Sequence, residues 1–417
     1  MRYFRLSSGR MLSGLGAAAL CCSGTHVARA GQQNKLRPDS RQPGLKQIAV
    51  VSGKRTVPPT EHLKQQFGDI TFVDADKWNV DLGKGTTHWV GAHTEIEVPD
   101  KASKSVLYVH ADDILGSRVG KMNIGLIVLS GNVRYRLVQK SDAGDRVLEG
   151  TAGHAELRRA TKLMEFTGGV HTKLTDAEQF RGPATLRTGS LTVAMETKPF
   201  RYSLEGAAAN NDIQFTPQQA AASKTDSKPA SKADGKPAPP TPLGTFHAYG
   251  FRSGDLQIGE AIHLQGAGTT CEFASPDEKT AWRLQGEQLE GEFVPKKSEI
   301  QRATVTQNVR YHVSQPSKDK KTQTTVDGTA PQASYVRTQA GQETVVHGPL
   351  TMNLDDLQHL AKPAVMTAGQ RALLTVKKSG ESLSWELIDP DHTQTLQFEP
   401  KPFDLEETKP AAPPKPN

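Results

Sequence analysis

Leu129-Ser130-Gly131-Asn132-Val133-Arg134-Tyr135-Arg136-Leu137 places an apolar residue or glycine at every odd position and a polar or charged residue at every even one. Side chains alternate faces along a β-strand, so this stretch reads as a strand with one buried and one wet face. Val305-Thr306-Gln307-Asn308-Val309-Arg310-Tyr311-His312-Val313 has the same parity and repeats the Asn-Val-Arg-Tyr. Sustained helical spacing is nearly absent; Asp355 to Leu360 is the one stretch that allows a short helical turn.

The two strands open a longer correspondence. Gly150-Thr151-Ala152 matches Gly328-Thr329-Ala330, and Gly169 matches Gly348. Pro183-Ala184 and Gly189 match Pro363-Ala364 and Gly369, and Leu191-Thr192-Val193 matches Leu374-Thr375-Val376. Gln214-Phe215-Thr216-Pro217 matches Gln397-Phe398-Glu399-Pro400. The order never breaks, which indicates a tandem duplication. A finer period lies inside: Gly131, Gly150, Gly169 and Gly189 are spaced 19, 19 and 20 residues. Gly266, Gly286, Gln307, Gly328, Gly348 and Gly369 are spaced 20, 21, 21, 20 and 21. Each unit holds two short strands with a turn or bend, where glycine allows a positive φ. Such a unit cannot bury its apolar face alone, but stacked units can.

If each unit folds over on itself, its inward residues line a continuous groove. In the first block these are Leu129, Val133, Tyr135, Leu137, Ala155, Leu157, Phe166, Leu191 and Val193. In the second they are Val305, Val309, Tyr311, Val313, Ala333, Tyr335, Val345, Leu374 and Val376. Any one of them alone is explained by core packing; only the set suggests a groove.

The N-terminus reads as a secretory signal over residues 1–30. Arg2, Arg5 and Arg10 precede an apolar run from Met11 to Gly24, and Ala28-Arg29-Ala30 forms a small-x-small cleavage site. The run is short of the roughly 20 residues that span a bilayer. An uncleaved anchor is the rival; a lipoprotein fits poorly, because Leu20 precedes Cys21 and Cys21 precedes Cys22. Loss of the signal takes the net charge from +6 to about +2, which removes most of the case for a nucleic-acid partner. Cys271 then stands alone, excluding a disulfide framework or a Cys-based metal site within one chain. Residues 31–65 form a polar leader. Residues 218–243, with Pro229, Pro237, Pro239, Pro240 and Pro242, form a disordered linker, and 405–417 a Pro-rich tail. Two β domains are left, 66–217 and 244–404.

No catalytic signature is present: no H-E-x-x-H, C-x-x-C, P-loop or G-x-S-x-G. Ser317 and Lys320 fit S-x-x-K literally but lie in a Ser/Lys-rich loop. His110 with Asp112 and Asp113 lacks a partner cluster for a metal, and His154 falls on the wet face. Arg134, Arg136, Arg310 and His312 form a basic stripe that could meet phosphates or simply keep an outer face soluble.

The pattern resembles the OstA-like domain of the periplasmic lipopolysaccharide-transport proteins, the LptA and LptC type. The likeness rests on the Gly-Asn-Val or Gln-Asn-Val strand start before Tyr135 and Tyr311. It continues in Leu148-Glu149-Gly150-Thr151-Ala152 and Phe166-Thr167-Gly168-Gly169-Val170. It covers residues 125–217 well and 300–400 less well. The resemblance implies an all-β fold of two tandem antiparallel β-jellyrolls, each a V-shaped β-taco trough. It implies a periplasmic, non-enzymatic carrier of lipopolysaccharide or a related glycolipid, without cofactor, bridging inner and outer membranes. Its partners would be similar chains or a second copy, joined by edge-strand addition. The alternatives are a β-solenoid scaffold with a filled core, and a secreted enzyme on cell-surface polymer using paired carboxylates. Sealed or open inner faces separate the first two. The aromatic content of 6% leans toward a slender trough.

Overall fold

The computed structural model describes residues 64–92, 94–119, 123–141, 144–197, 199–218, 244–274, 280–316, 323–338, 341–356, 360–379 and 382–400, all within the unit Ser52–Asn417. The signal, most of the leader, nearly all of the linker, the 317–320 loop and the tail lie outside these residues. Among them there is no α-helix, hence none able to cross a membrane, and one 3-10 turn at Ala208–Asn210.

Seven strands come first: β1 (Lys64–Phe67), β2 (Ile70–Val73), β3 (Lys77–Asp81), β4 (Thr86–Val90), β5 (Glu95–Asp100), β6 (Ser105–His110) and β7 (Asp113–Val119). Four long strands follow: β8 (Asn123–Gln139), β9 (Arg146–Arg158), β10 (Leu163–Thr175) and β11 (Ala184–Ala194). Short strands β12 (Arg201–Glu205), β13 (Asp212–Phe215), β14 (Phe246–Tyr249) and β15 (Ser253–Gln257) straddle the linker. A second long set is β16 (Ala261–Ala274), β17 (Ala281–Phe293), β18 (Ile300–Pro316) and β19 (Gln323–Thr338). The chain closes with β20 (Gly341–His347), β21 (Leu350–Asp356), β22 (Leu360–Ala368), β23 (Leu373–Ser379), β24 (Ser382–Ile388) and β25 (Thr395–Pro400). The helical turn expected from Asp355 is not formed at its ends: Asp355 and Asp356 finish β21, and Leu360 begins β22.

Every long strand serves two ladders. In β8, residues 123–130 pair with β7 and 134–139 with β6. The register shifts between Ser130 and Val133, and the same happens between Thr306 and Val309 in β18. There Gly131 and Asn132 take φ of 75° and 48°, and Gln307 and Asn308 take 66° and 54°. A bulge with left-handed residues re-aims a strand, so each long strand folds over a crease. The result is two walls. The front wall runs β3, β4, β7, then one half of each long strand, β12, β15, and on to β20, β23 and β24. The back wall runs β1, β2, β5, β6, the other halves, β13, β14, and on to β21, β22 and β25. Hairpin turns line the margin opposite the crease, the mouth.

Both walls continue from the first block to the second among the described residues. Arg201–Glu205 pairs with Ser253–Gln257 in the front wall, and Asp212–Phe215 with Phe246–Tyr249 in the back. The two blocks read in the sequence are thus joined edge to edge by hydrogen-bonded strands.

Candidate functional site between the two walls

The inward side chains form continuous rows. Along the back wall, cross-strand partners run Phe72, Ile96, Val109, Tyr135, Gly150, Thr172, Leu186, Ile213, Ala248, Cys271, Leu284, Tyr311, Gly328, Met352, Met366 and Leu396. Along the front wall they run Trp78, Trp89, Ile114, Leu129, Ala155, Phe166, Leu191, Leu204, Gly254, Leu264, Leu289, Val305, Ala333, Val346, Leu374 and Leu387. No charged residue interrupts either row.

Of the residues expected to face inward, Leu129, Leu157, Phe166, Leu191, Val193, Val305, Tyr335, Leu374 and Val376 line the front wall. Val133, Tyr135, Leu137, Val309, Tyr311 and Val313 line the back. All are at most 4% exposed. Val345 is the exception: it is half-buried on the opposite face, and Val346 takes the inward place. A strand has a side-chain period of two, so a one-residue error in register reverses the face.

The two rows touch. Phe72 stacks on Trp89 with centroids 3.8 Å apart, Tyr135 on Phe166 at 3.9 Å, and Phe273 on Tyr335 at 4.2 Å, each pair spanning the two walls. The two walls are therefore in contact at these three places, and the inward residues between them are buried. An aromatic row under the mouth of the back wall, Phe215, Phe246, Phe273 and Trp282, was not singled out in the sequence. Phe215 and Phe246 flank the linker, and their pairing is invisible when it is read as a boundary.

Tyr135 and Tyr311 occupy matching places. Each ring lies across a glycine on the next strand, Gly150 or Gly328, and its hydroxyl reaches the strand beyond. Tyr135 meets the Thr172 hydroxyl, and Tyr311 donates to the Thr351 carbonyl at 2.7 Å. Burial pushes both phenols well above their ordinary range, so each stays protonated. These glycines recur for close approach: neither has a positive φ, unlike Gly131.

At the two ends of the described residues, inward-facing side chains are exposed. Trp78 on β3 is 49% exposed, Trp385 on β24 39%, and Leu396 and Phe398 on β25 44% and 59%. Their strands are the outermost of each wall among the described residues.

The outer faces are polar and largely self-paired. Arg136 lies 3.9 Å from Glu149, and the His312 imidazole 2.5 Å from Asp327, so two of the four members of the expected basic stripe have an acidic neighbour. His154 is on the wet side, 3.1 Å from the Ser130 hydroxyl. Asp112 accepts from the Asn132 amide at 2.7 Å and Asp113 contacts His88 at 2.9 Å. No group of three metal-binding side chains occurs among the described residues.

One outer cluster sits where the blocks join. His247 on β14 lies 2.6 Å from Asp212 on β13 and 3.8 Å from Glu272 on β16, which also accepts from Tyr249 at 2.9 Å and Arg283 at 2.6 Å. The cluster borders a surface pocket of about 360 Å³. The Asp212 hydrogen bond, then that of Glu272, raises the His247 pKa to about 9, while His247 holds Glu272 down to about 2. His247 therefore adds stability that is complete below its ordinary pKa of 6.5 and lost as pH rises through about 9. Glu272 adds stability complete above its ordinary 4.5 and lost as pH falls through about 2. The expected profile is a plateau between about pH 4.5 and 6.5 and a decline to pH 9 of about 1 kcal/mol, since solvent screens the half-exposed cluster. Denaturant midpoints across pH measure it. In His247→Gln the decline between pH 6.5 and 9 should vanish; its persistence would assign it to other groups.

No family model matches this sequence, and no curated protein matches it.

Proposed function

We propose that this chain carries the acyl chains of a glycolipid, lipopolysaccharide being the leading candidate, between two apolar β-walls outside the cytoplasm, without catalysis. The observation that carries this reading is the pair of uncharged inner rows running through every paired strand of both walls. An acyl chain gains about 0.8 kcal/mol per buried methylene, so such a surface suffices to hold a lipid. Because ligand and wall are both apolar, entry exchanges one set of dispersion contacts for another. The exposed apolar side chains at both ends of the described residues support the same reading. Repeat bodies that end on their own carry polar caps. Here Trp78 at one end and Trp385 and Phe398 at the other leave the inner face exposed. Among the described residues, strands β1 and β3 at one end and β24 and β25 at the other are edges to which a second copy or a similar chain would add. The signal at residues 1–30 would deliver the protein to the periplasm.

A second reading is favoured by one observation: the walls are packed ring on ring, as in a scaffold with a filled core. In-cell photo-crosslinking separates the two. A photoreactive phenylalanine analogue is placed singly at Tyr135 or Tyr311, inward, and at Arg134 or Arg310, outward. Glycolipid adducts at the inward sites alone are the expected result. Folded, exported protein with no adduct at either tyrosine would overturn the carrier and leave the scaffold.

A further inference from the structure

We propose that the second block holds a polar collar just beneath its mouth, which takes the ester or amide carbonyls that head acyl chains; this rests on the carrier reading above. The collar is four inward side chains that can donate hydrogen bonds: Trp282 on the back wall, and Tyr335, Gln342 and Thr344 on the front. They lie together. Tyr335 and Thr344 are opposite each other in the β19–β20 ladder, and Gln342 is two residues from Thr344 on the same face of β20. The Trp282 ring meets that of Tyr335 edge-on across the two walls, with centroids 6.0 Å apart. All four residues are at most 2% exposed. The Trp282 indole nitrogen, the Tyr335 and Thr344 hydroxyls and the Gln342 amide nitrogen are shut off from solvent and have no hydrogen-bond partner among the described residues. Burial keeps the Tyr335 phenol protonated, hence able to donate.

The duplication offers an internal reference. Strand register places Trp282, Tyr335 and Thr344 where the first block has Leu107, Leu157 and Met164. Leu107 pairs with Leu137 as Trp282 pairs with Val313. Met164 stands between Leu157 and Val193 as Thr344 stands between Tyr335 and Val376. The first block thus closes these places with apolar side chains, which leave nothing unsatisfied. A polar group shut away without a partner costs its full desolvation, so the second block is the less favourably closed of the two. Its walls part there more readily. A chain entering from the mouth brings its head carbonyl to the collar, while its methylenes replace the wall contacts below. The cations nearby are already engaged: Arg337 pairs with Glu299, and the Lys378 ammonium lies over the Trp282 ring, 5.7 Å from its centroid. A neutral carbonyl therefore fits the collar better than a phosphate, whose buried charge needs a counter-charge of its own.

Two measurements on the full chain test this. The first needs no lipid. Tyr335→Phe with Thr344→Val removes two hydroxyls and little volume, and a hydroxyl without a partner adds nothing to the stability of the fold. The denaturant midpoint of this double variant should equal or exceed the parent's. A lower midpoint would show that the hydroxyls serve the folded chain itself and would overturn the collar. The second measurement compares a synthetic glucosyl diacylglycerol with its dialkyl ether analogue, matched in sugar and chain length but without carbonyls. Affinities are read from displacement of cis-parinaric acid, which fluoresces in apolar surroundings. The parent should bind the ester form at least tenfold more tightly than the ether form. In the double variant that ratio should fall at least threefold, with binding of the ether form unchanged. Equal affinities of the parent for the two lipids, or a ratio unchanged in the variant, overturn the collar and leave the carrier. Binding of neither lipid overturns the carrier and the collar with it.

Discussion

Gly328→Ala should cost about 2–4 kcal/mol, more than removal of most single core methyls. The added Cβ would fall well inside 3.0 Å of both the Thr351 carbonyl and the Tyr311 ring. Overpacking of this kind costs about 1–3 kcal/mol, and displacement of the phenol from Thr351 forfeits a hydrogen bond worth about 1 kcal/mol. In a ladder each strand contacts only its neighbours, so the damage should stay local. Hydrogen exchange is the appropriate measurement: protection in β18, β19 and β21 should fall by roughly 30-fold or more, with β1 to β7 unchanged. Gly150→Ala should repeat the result in the first block, where the Cβ meets the His171 carbonyl and the Tyr135 hydroxyl. Trimming Tyr311 to Leu in the Gly328→Ala background should not restore protection, because the carbonyl remains. Full recovery would show that the ring alone demands glycine. Tyr135→Phe, which removes only the hydroxyl, should cost about 1 kcal/mol.

The second large effect concerns the one ion pair buried on both sides among the described pairs. Arg337 on β19 and Glu299 before β18 are each 8% exposed at the side chain and hydrogen-bonded to one another. Taking two charges out of water is roughly offset by their mutual attraction, whereas one left alone is not. Arg337→Met should therefore destabilise by about 3–5 kcal/mol. The double change Glu299→Leu with Arg337→Met should recover most of that, despite altering more atoms. Thermal or denaturant midpoints of the three proteins decide it: a double variant no better than the single one would mean that packing of the arginine stem, not charge compensation, is what matters.

Strand class and face were legible because alternation is a local property. Leu129 to Leu137 shows its buried face without reference to any other strand, and the described structure places those residues accordingly. Glycine spacing near 20 residues likewise reflected a unit long enough to cross a crease and return. What stayed hidden depends on pairing. Val345 follows from Phe166 if Gly169 is matched to Gly348. The inward Phe166 and Thr172 of the first copy stand in the places of Val346 and Met352, so Gly168 is the residue that answers to Gly348 and the face is off by one. The roles of Gly150 and Gly328 needed the third strand, since the clash is with a carbonyl there. Whether the inner faces meet or stand apart is a matter of distance between walls, which no period encodes. The likeness to OstA-like domains implied a trough, and only coordinates could show the rings of the two walls in contact.

The edge-to-edge pairing of Phe215 with Phe246 also changes what the 219–243 segment is for. The strands on either side of it are hydrogen-bonded neighbours, so the segment does not join separable bodies. Lengthening such a connection costs only about 0.6 kcal/mol per doubling. The protein should therefore tolerate being made as two polypeptides divided within that segment, reassembling through the strands on either side. It should equally accept a folded reporter inserted there, a natural handle for following the molecule in the cell.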